Sequence, residues 1–101
     1  MFHKKVNQII LKIEHILDKY SNYIDIDYET HHHIMNIIFN NKSKIIINRQ
    51  ESLREIWLAT KNMGYHFQYY KKLWICNRSN QNFWTILSQS CSEQANTVMI
   101  F

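Results

Sequence analysis

The sequence predicts an α+β fold, a two-layer α/β sandwich in the order helix, antiparallel sheet of about six strands, helix, with both helices on one sheet face. Three observations carry this. Apolar residues recur at helical spacing over residues 3–20. Short apolar runs then follow one another from Ile24 to Cys76, with polar turns between them. Helical spacing returns over Asn82–Ser92.

In the first helix Val6, Ile9, Ile10, Ile13, Ile16, Leu17 and Tyr20 form one apolar stripe, and Ser21-Asn22 ends it. Ile24, Ile26 and Tyr28 alternate with Asp25, Asp27 and Glu29, the pattern of a strand with one face in the core and the other in water. Thr30 to His33 makes a turn into a second strand, Ile34–Phe39. Asn40-Asn41-Lys42 turns into a third at Lys44–Asn48. Further strands fall at Glu55–Ala59, Tyr65–Tyr69 and Leu73–Cys76, separated by turns around Asn62-Met63-Gly64 and Lys71-Lys72. In the second helix Phe83, Trp84, Leu87 and Cys91 share a side. Thr97–Phe101 is an apolar tail, and Val98 and Ile100, with Phe101 beside them, are expected to cover the groove between the helices. No repeat, linker or low-complexity stretch interrupts the chain, so residues 1–101 read as one domain able to bury a single core.

Hydrophobic residues make up 46% of the chain, which excludes disorder, and no apolar run reaches the roughly 18 residues of a membrane span. The N-terminus turns polar at Asn7-Gln8 without a small-residue cleavage site, so no signal peptide is expected. Cys76 and Cys91 stand in no recognisable motif and read as packing residues in a reducing cytoplasm. Residues 1–30 hold four lysines against five acids, and residues 31–101 hold eight Lys/Arg against three acids. Sixteen Ile, eleven Asn and nine Lys beside one Gly and no Pro resemble codon drift toward A and T, which inflates the net charge of +4 and weakens it as a nucleic-acid signal.

Five of the eight carboxylates lie between Glu14 and Glu29. Glu14 and Asp18 are four apart and share a helix face, whereas Asp25, Asp27 and Glu29 are two apart and share a strand face. The expectation is one continuous acidic strip at a helix–strand border. Carboxylate oxygens are hard ligands, and unneutralised neighbours raise the local cation concentration. An open strip leaves water on most coordination positions, so weak, salt-sensitive binding follows.

Several longer words then stand in order: Ser43-Lys44-Ile45-Ile46-Ile47-Asn48-Arg49-Gln50-Glu51, Ile56-Trp57-Leu58-Ala59-Thr60-Lys61, Gly64-Tyr65-His66-Phe67, Trp74-Ile75-Cys76-Asn77-Arg78-Ser79 and Phe83-Trp84. Together they closely resemble the bacterial frataxin (CyaY) family, over essentially the whole chain. The resemblance implies a helix–sheet–helix protein without enzyme activity of its own. It implies weak binding of Fe²⁺ or Fe³⁺ on an acidic ridge, and association with the cysteine desulfurase and scaffold protein of iron–sulfur cluster assembly. The matching ridge positions are Glu14, Asp18, Asp25, Asp27 and Glu29; other family acids are replaced by His15, Lys19, Ser21 and Tyr23. Asn48, Gln50 and Trp57 match positions on the exposed sheet face that help dock the assembly machinery. Tight-turn glycines of the family are missing at His31-His32-His33 and Asn41-Lys42.

The remaining chemistry is thin. His15, beside Glu14, could add a nitrogen ligand. The His31-His32-His33 run cannot converge on one ion while it is extended, since successive strand residues face opposite ways. Trp74 and Trp84, among apolar neighbours, read as core, and His66 as a packed or hydrogen-bonded sheet histidine. One glycine leaves no Gly-rich phosphate loop, neither cysteine has an identifiable activating base, and the histidines lack metalloenzyme spacing, so no enzyme activity is expected. The reading is a monomeric cytoplasmic accessory protein with no nucleic-acid or membrane partner. Two alternatives stay open: a nucleic-acid module built on Lys44, Arg49, Arg54, Arg78 and Trp57, and an iron-storage oligomer.

Overall fold

Two helices and six strands run in the predicted order in the computed structural model, which describes residues 1–101: α1 Phe2–Tyr20, β1 Ile26–His31, β2 Ile34–Phe39, β3 Lys44–Gln50, β4 Glu55–Ala59, β5 Gly64–Tyr70, β6 Leu73–Cys76 and α2 Phe83–Ala95, with a single 3-10 turn at Glu51–Leu53. Each strand pairs antiparallel with its sequence neighbour, giving the sheet order β1-β2-β3-β4-β5-β6 and leaving β1 and β6 as the two edges.

The two-residue period assigns the faces. Met35, Ile37 and Phe39, then Ile45 and Ile47, Ile56 and Leu58, Phe67, and Trp74 and Cys76 are buried on one face. They pack with Val6, Ile9, Ile13 and Leu17 of α1 and Phe83, Ile86, Leu87 and Cys91 of α2 in one core. The other face has no covering layer, and its cross-strand rows follow from the register: Asp27–Ile38–Lys44, Glu29–Asn36–Ile46–Ala59, Asn48–Trp57–His66 and Gln50–Glu55–Gln68.

α2 begins on Asn82, whose Oδ1 accepts the Trp84 N–H at 2.9 Å, and ends at Asn96 with a left-handed φ of 56°. Turns form without glycine. His32, Lys42, Arg54, Lys71, Lys72, Asn80 and Asn96 all take positive φ, whereas Gly64 does not.

Three expectations need correction. The first strand begins at Ile26, because Tyr23 and Ile24 donate their N–H groups to Tyr20 O and complete the end of α1. In the tail it is Met99 that fills the core, at 1% exposure, while Val98 and Ile100 stand 76% and 70% exposed. Ser92 Oγ brackets Met99, accepting its N–H at 2.8 Å and donating to its carbonyl at 3.0 Å. Trp84 is only half-buried, packed on the core with the Lys12 ammonium 4.4 Å from its ring centre.

Candidate functional site

The acidic border is built by matching two periods. Four residues of helix rise ~6 Å and two residues of strand ~6.6 Å, so Glu14 and Asp18 lie in step with Thr30 and Tyr28 running the other way. The Tyr28 hydroxyl donates to Asp18 Oδ1 at 2.9 Å, and the Thr30 hydroxyl donates to Glu14 Oε2 at 2.9 Å. Two hydroxyl–carboxylate bonds therefore stitch the second half of α1 to the edge strand.

This divides the predicted strip. Tyr28 and Thr30 face the helices, so Asp27 and Glu29, which alternate with them, face the open side. The acids flank β1 on both sides instead of lining one face. Asp27 bends back toward the edge, where its Oδ1 accepts the Tyr28 N–H at 2.8 Å. The Tyr28 phenol registers the combined field. Its pKa is pushed up to about 12, first by the hydrogen bond to Asp18, then by burial, then by the charges of Asp18, Glu14 and Asp27. Glu14, Asp18 and Asp27 thus act on one point. Asp25 precedes the strand and opens into a recess with Asn40, Asn41, Gln94 and Asn96. Glu29 has His31 Nε2 at 3.9 Å.

No lysine or arginine neutralises these five acids: the ion-pair contacts in the structure are His3–Glu51, His31–Glu29 and His66–Glu55. Nor do three His, Cys, Asp or Glu side chains converge on a closed metal cage. The donor set is carboxylate oxygen in an open, solvated arrangement, which suits hard cations held through water. His15 is exposed on α1. In the histidine run, His31 ends β1, His32 takes a φ of 52°, and the His33 ring lies 6.4 Å from that of His3, so the three diverge.

On the open face Asn48, Trp57 and His66 form one row across β3, β4 and β5. The Trp57 and His66 rings stack at 4.2 Å. The indole N–H donates to Glu55 Oε1 at 2.7 Å, and Gln68 Nε2 donates to Glu55 Oε2 at 3.1 Å. Glu55 is only 8% exposed, which makes it a clamp. Trp57 is therefore half-buried, with its polar atom already engaged and part of its ring surface presented. Gln50 lies opposite Glu55 in the adjoining row. Sequence reasoning missed Glu55, Tyr28 and Thr30. The interleaving of hydroxyls with acids over residues 27–30 was the available signal for the last two.

The cations of the nucleic-acid alternative do not share a face. Lys44 lies on the open side, Arg49 on the helix side with its Nη1 3.3 Å from His3 Nδ1, and Arg78 donates to the Gly64 carbonyl at 2.8 Å. Both cysteines are buried. Burial pushes the Cys91 thiol up to about 12. Burial opposes ionisation of Cys76 too, but the Ser79 hydroxyl, the Arg78 and Ser79 backbone and the Arg78 charge leave that thiol below its ordinary value. No helix is long and apolar enough to cross a membrane.

Residues 1–97 match the frataxin-like domain family. The chain is 55% identical over 100 residues to the iron-sulfur cluster assembly protein CyaY of Buchnera aphidicola from Acyrthosiphon pisum, covering 99% of this chain and 86% of that protein. It is 49% identical over 100 residues to the protein of the same name from the Baizongia pistaciae strain, with 99% and 85% covered. The solved frataxin of Psychromonas ingrahamii superimposes with a TM-score of 0.89 at 33% identity, over 98% of this chain and 92% of that one. With the sandwich, the edge acids and the open tryptophan row in place, these likenesses lead to one conclusion: the chain belongs to the frataxin-like family, on its bacterial CyaY branch.

Proposed function

We propose that this protein is an accessory factor of iron–sulfur cluster assembly that holds iron weakly along the β1 border and docks on the cysteine desulfurase and its scaffold. The observation that carries this reading is the unneutralised field of Glu14, Asp18 and Asp27 around Tyr28. Such a field attracts a hydrated cation or a basic protein surface. Iron is cargo here, held by carboxylates that keep most of its water. The names of the Buchnera relatives support the pathway. The placement of Asn48, Gln50 and Trp57 on the same open face as Asp27 and Glu29 supports a docking surface continuous with the border. Asp25 and Glu29 extend that border to either side. The protein contributes electrostatics and positioning in the cytoplasm and leaves sulfur chemistry to the desulfurase.

Two-dimensional NMR of the ¹⁵N-labelled protein, titrated with Fe²⁺ under anaerobic conditions and then with purified desulfurase, tests this. Amides of residues 14–18 and 25–30 should respond to iron and to the desulfurase, and those of β3 and β4 to the scaffold. Iron-induced changes confined elsewhere, or a desulfurase rate unaffected by the protein with and without iron, would overturn the reading.

A further inference from the structure

The end of the sheet far from β1 carries the opposite chemistry. No acid occurs between Glu55 and Glu93, while Lys61, Lys71, Lys72 and Arg78 do. The nearest carboxylates are engaged: Glu51 by His3 at 2.7 Å, and Glu55 by Trp57 and Gln68. Between the start of α1 and the β5–β6 hairpin lies a recess of about 370 Å³ walled by Phe2, Lys5, Leu53, Arg54, Tyr69 and Trp74. Its floor is apolar. Trp74 packs edge-on against Phe2, with ring centres 5.9 Å apart, and at a tilt against Tyr69, at 5.3 Å. Its rim is cationic and unpaired, since neither Lys5 nor Arg54 takes part in an ion pair. The adjoining hairpin turn adds Lys71 and Lys72, whose φ values of 48° and 68° match a geometry that Asn-Gly fills more cheaply.

We propose that this recess is a docking site for an acidic peptide segment of a partner protein. One apolar side chain would seat against Leu53 and the exposed edge of Tyr69, with flanking carboxylates on Lys5, Arg54 and, at the adjoining turn, Lys72. Nucleic acid fits less well, because stacking bases need free aromatic faces. The Tyr69 ring lies under the Lys5 ammonium at 4.6 Å, the Tyr70 ring under Lys71 at 5.3 Å, and Trp74 is 6% exposed. The proposal is independent of the reading of the acidic border.

The test is fluorescence anisotropy of a labelled Asp-Glu-Leu-Phe-Asp-Glu peptide. Its Asn-Gln-Leu-Phe-Asn-Gln counterpart and a short oligothymidylate serve as competing probes, at low and physiological salt. The acidic peptide should bind at least about tenfold more tightly than the neutral one, weaken as salt rises, and lose that advantage in K5E/R54E but not in V98A, at an exposed side chain away from the recess. K71N/K72G, whose turn chemistry favours the same fold, should weaken binding severalfold. Equal affinity for the two peptides, tighter binding of the oligothymidylate, or an unchanged K71N/K72G would overturn the proposal. So would self-association of the unliganded chain in sedimentation that the peptide does not reverse, because a second copy would then occupy the recess.

Discussion

The Trp57 indole lies flat on the His66 imidazole, ring centres 4.2 Å apart and planes 8° from parallel, while Glu55 holds the indole N–H at 2.7 Å. The stack joins adjacent strands through a directly opposed pair. Aromatic pairs of this kind couple by about 0.5–1.5 kcal/mol beyond their burial. Urea unfolding of the wild type, W57L, H66L and the double variant should return a coupling in that range. Additive single effects would show that the two rings pack independently.

Tyr28 should be set apart in a spectrophotometric titration. With its pKa pushed up to about 12 from 10, chiefly by Asp18, the phenol stays neutral across most of the alkaline range. The folded value exceeds the unfolded one, so the stability linked to this group is fully present below pH 10 and is lost as pH rises from 10 toward 12. Y28F should lack that component of the alkaline slope, and D18N should bring the phenol's ionisation to lower pH. A wild-type tyrosine absorbance complete well before pH 12 would contradict the assignment.

The Lys71-Lys72 turn is built on two side chains in the left-handed region. Each L-residue there costs roughly 1–2 kcal/mol, and Asn and Gly relieve it. K71N/K72G should therefore raise the melting temperature by about 4–8 °C per kcal/mol recovered. Gly64 provides the contrast: its φ is not positive, and an added Cβ would meet nothing within 4 Å. G64A should be neutral to stabilising, by at most about 1 kcal/mol. Thermal unfolding followed by circular dichroism reads both.

The tail makes the sharpest distinction between neighbours. M99A should cost about 2–5 kcal/mol, the usual range for deleting a buried methionine side chain. V98A and I100A should stay within about 0.5 kcal/mol, because both side chains are exposed. Denaturant midpoints separate the cases, and equal costs at 98 and 99 would contradict the placement.

Much of the site was legible before any coordinates. The spacing of Glu14 and Asp18 put them on one helix face, and the spacing of Asp27 and Glu29 put them on one strand face. Their apposition was not legible. Whether Thr30 and Tyr28 meet Glu14 and Asp18 depends on how deep α1 sits over β1, which the core between them decides. Glu55 escaped notice for the same reason. Its partners, Gln68 on the next strand and Trp57 two residues along, become a clamp only once β4 and β5 pair in register. Met99 was missed because an alternating apolar tail fits a groove equally well in either phase.

From its order of residues alone the chain determined element type, strand sequence and the core-facing side of each strand, because these follow from periods of 3.6 and 2.0 residues acting locally. The tertiary structure decided which polar groups meet: that the acids straddle β1, that Trp57 is stacked and clamped, and that Lys5 and Arg54 meet at one recess beside β6. Those outcomes depend on distances between segments remote in the chain, set by packing to within about an ångström, and no local pattern encodes them.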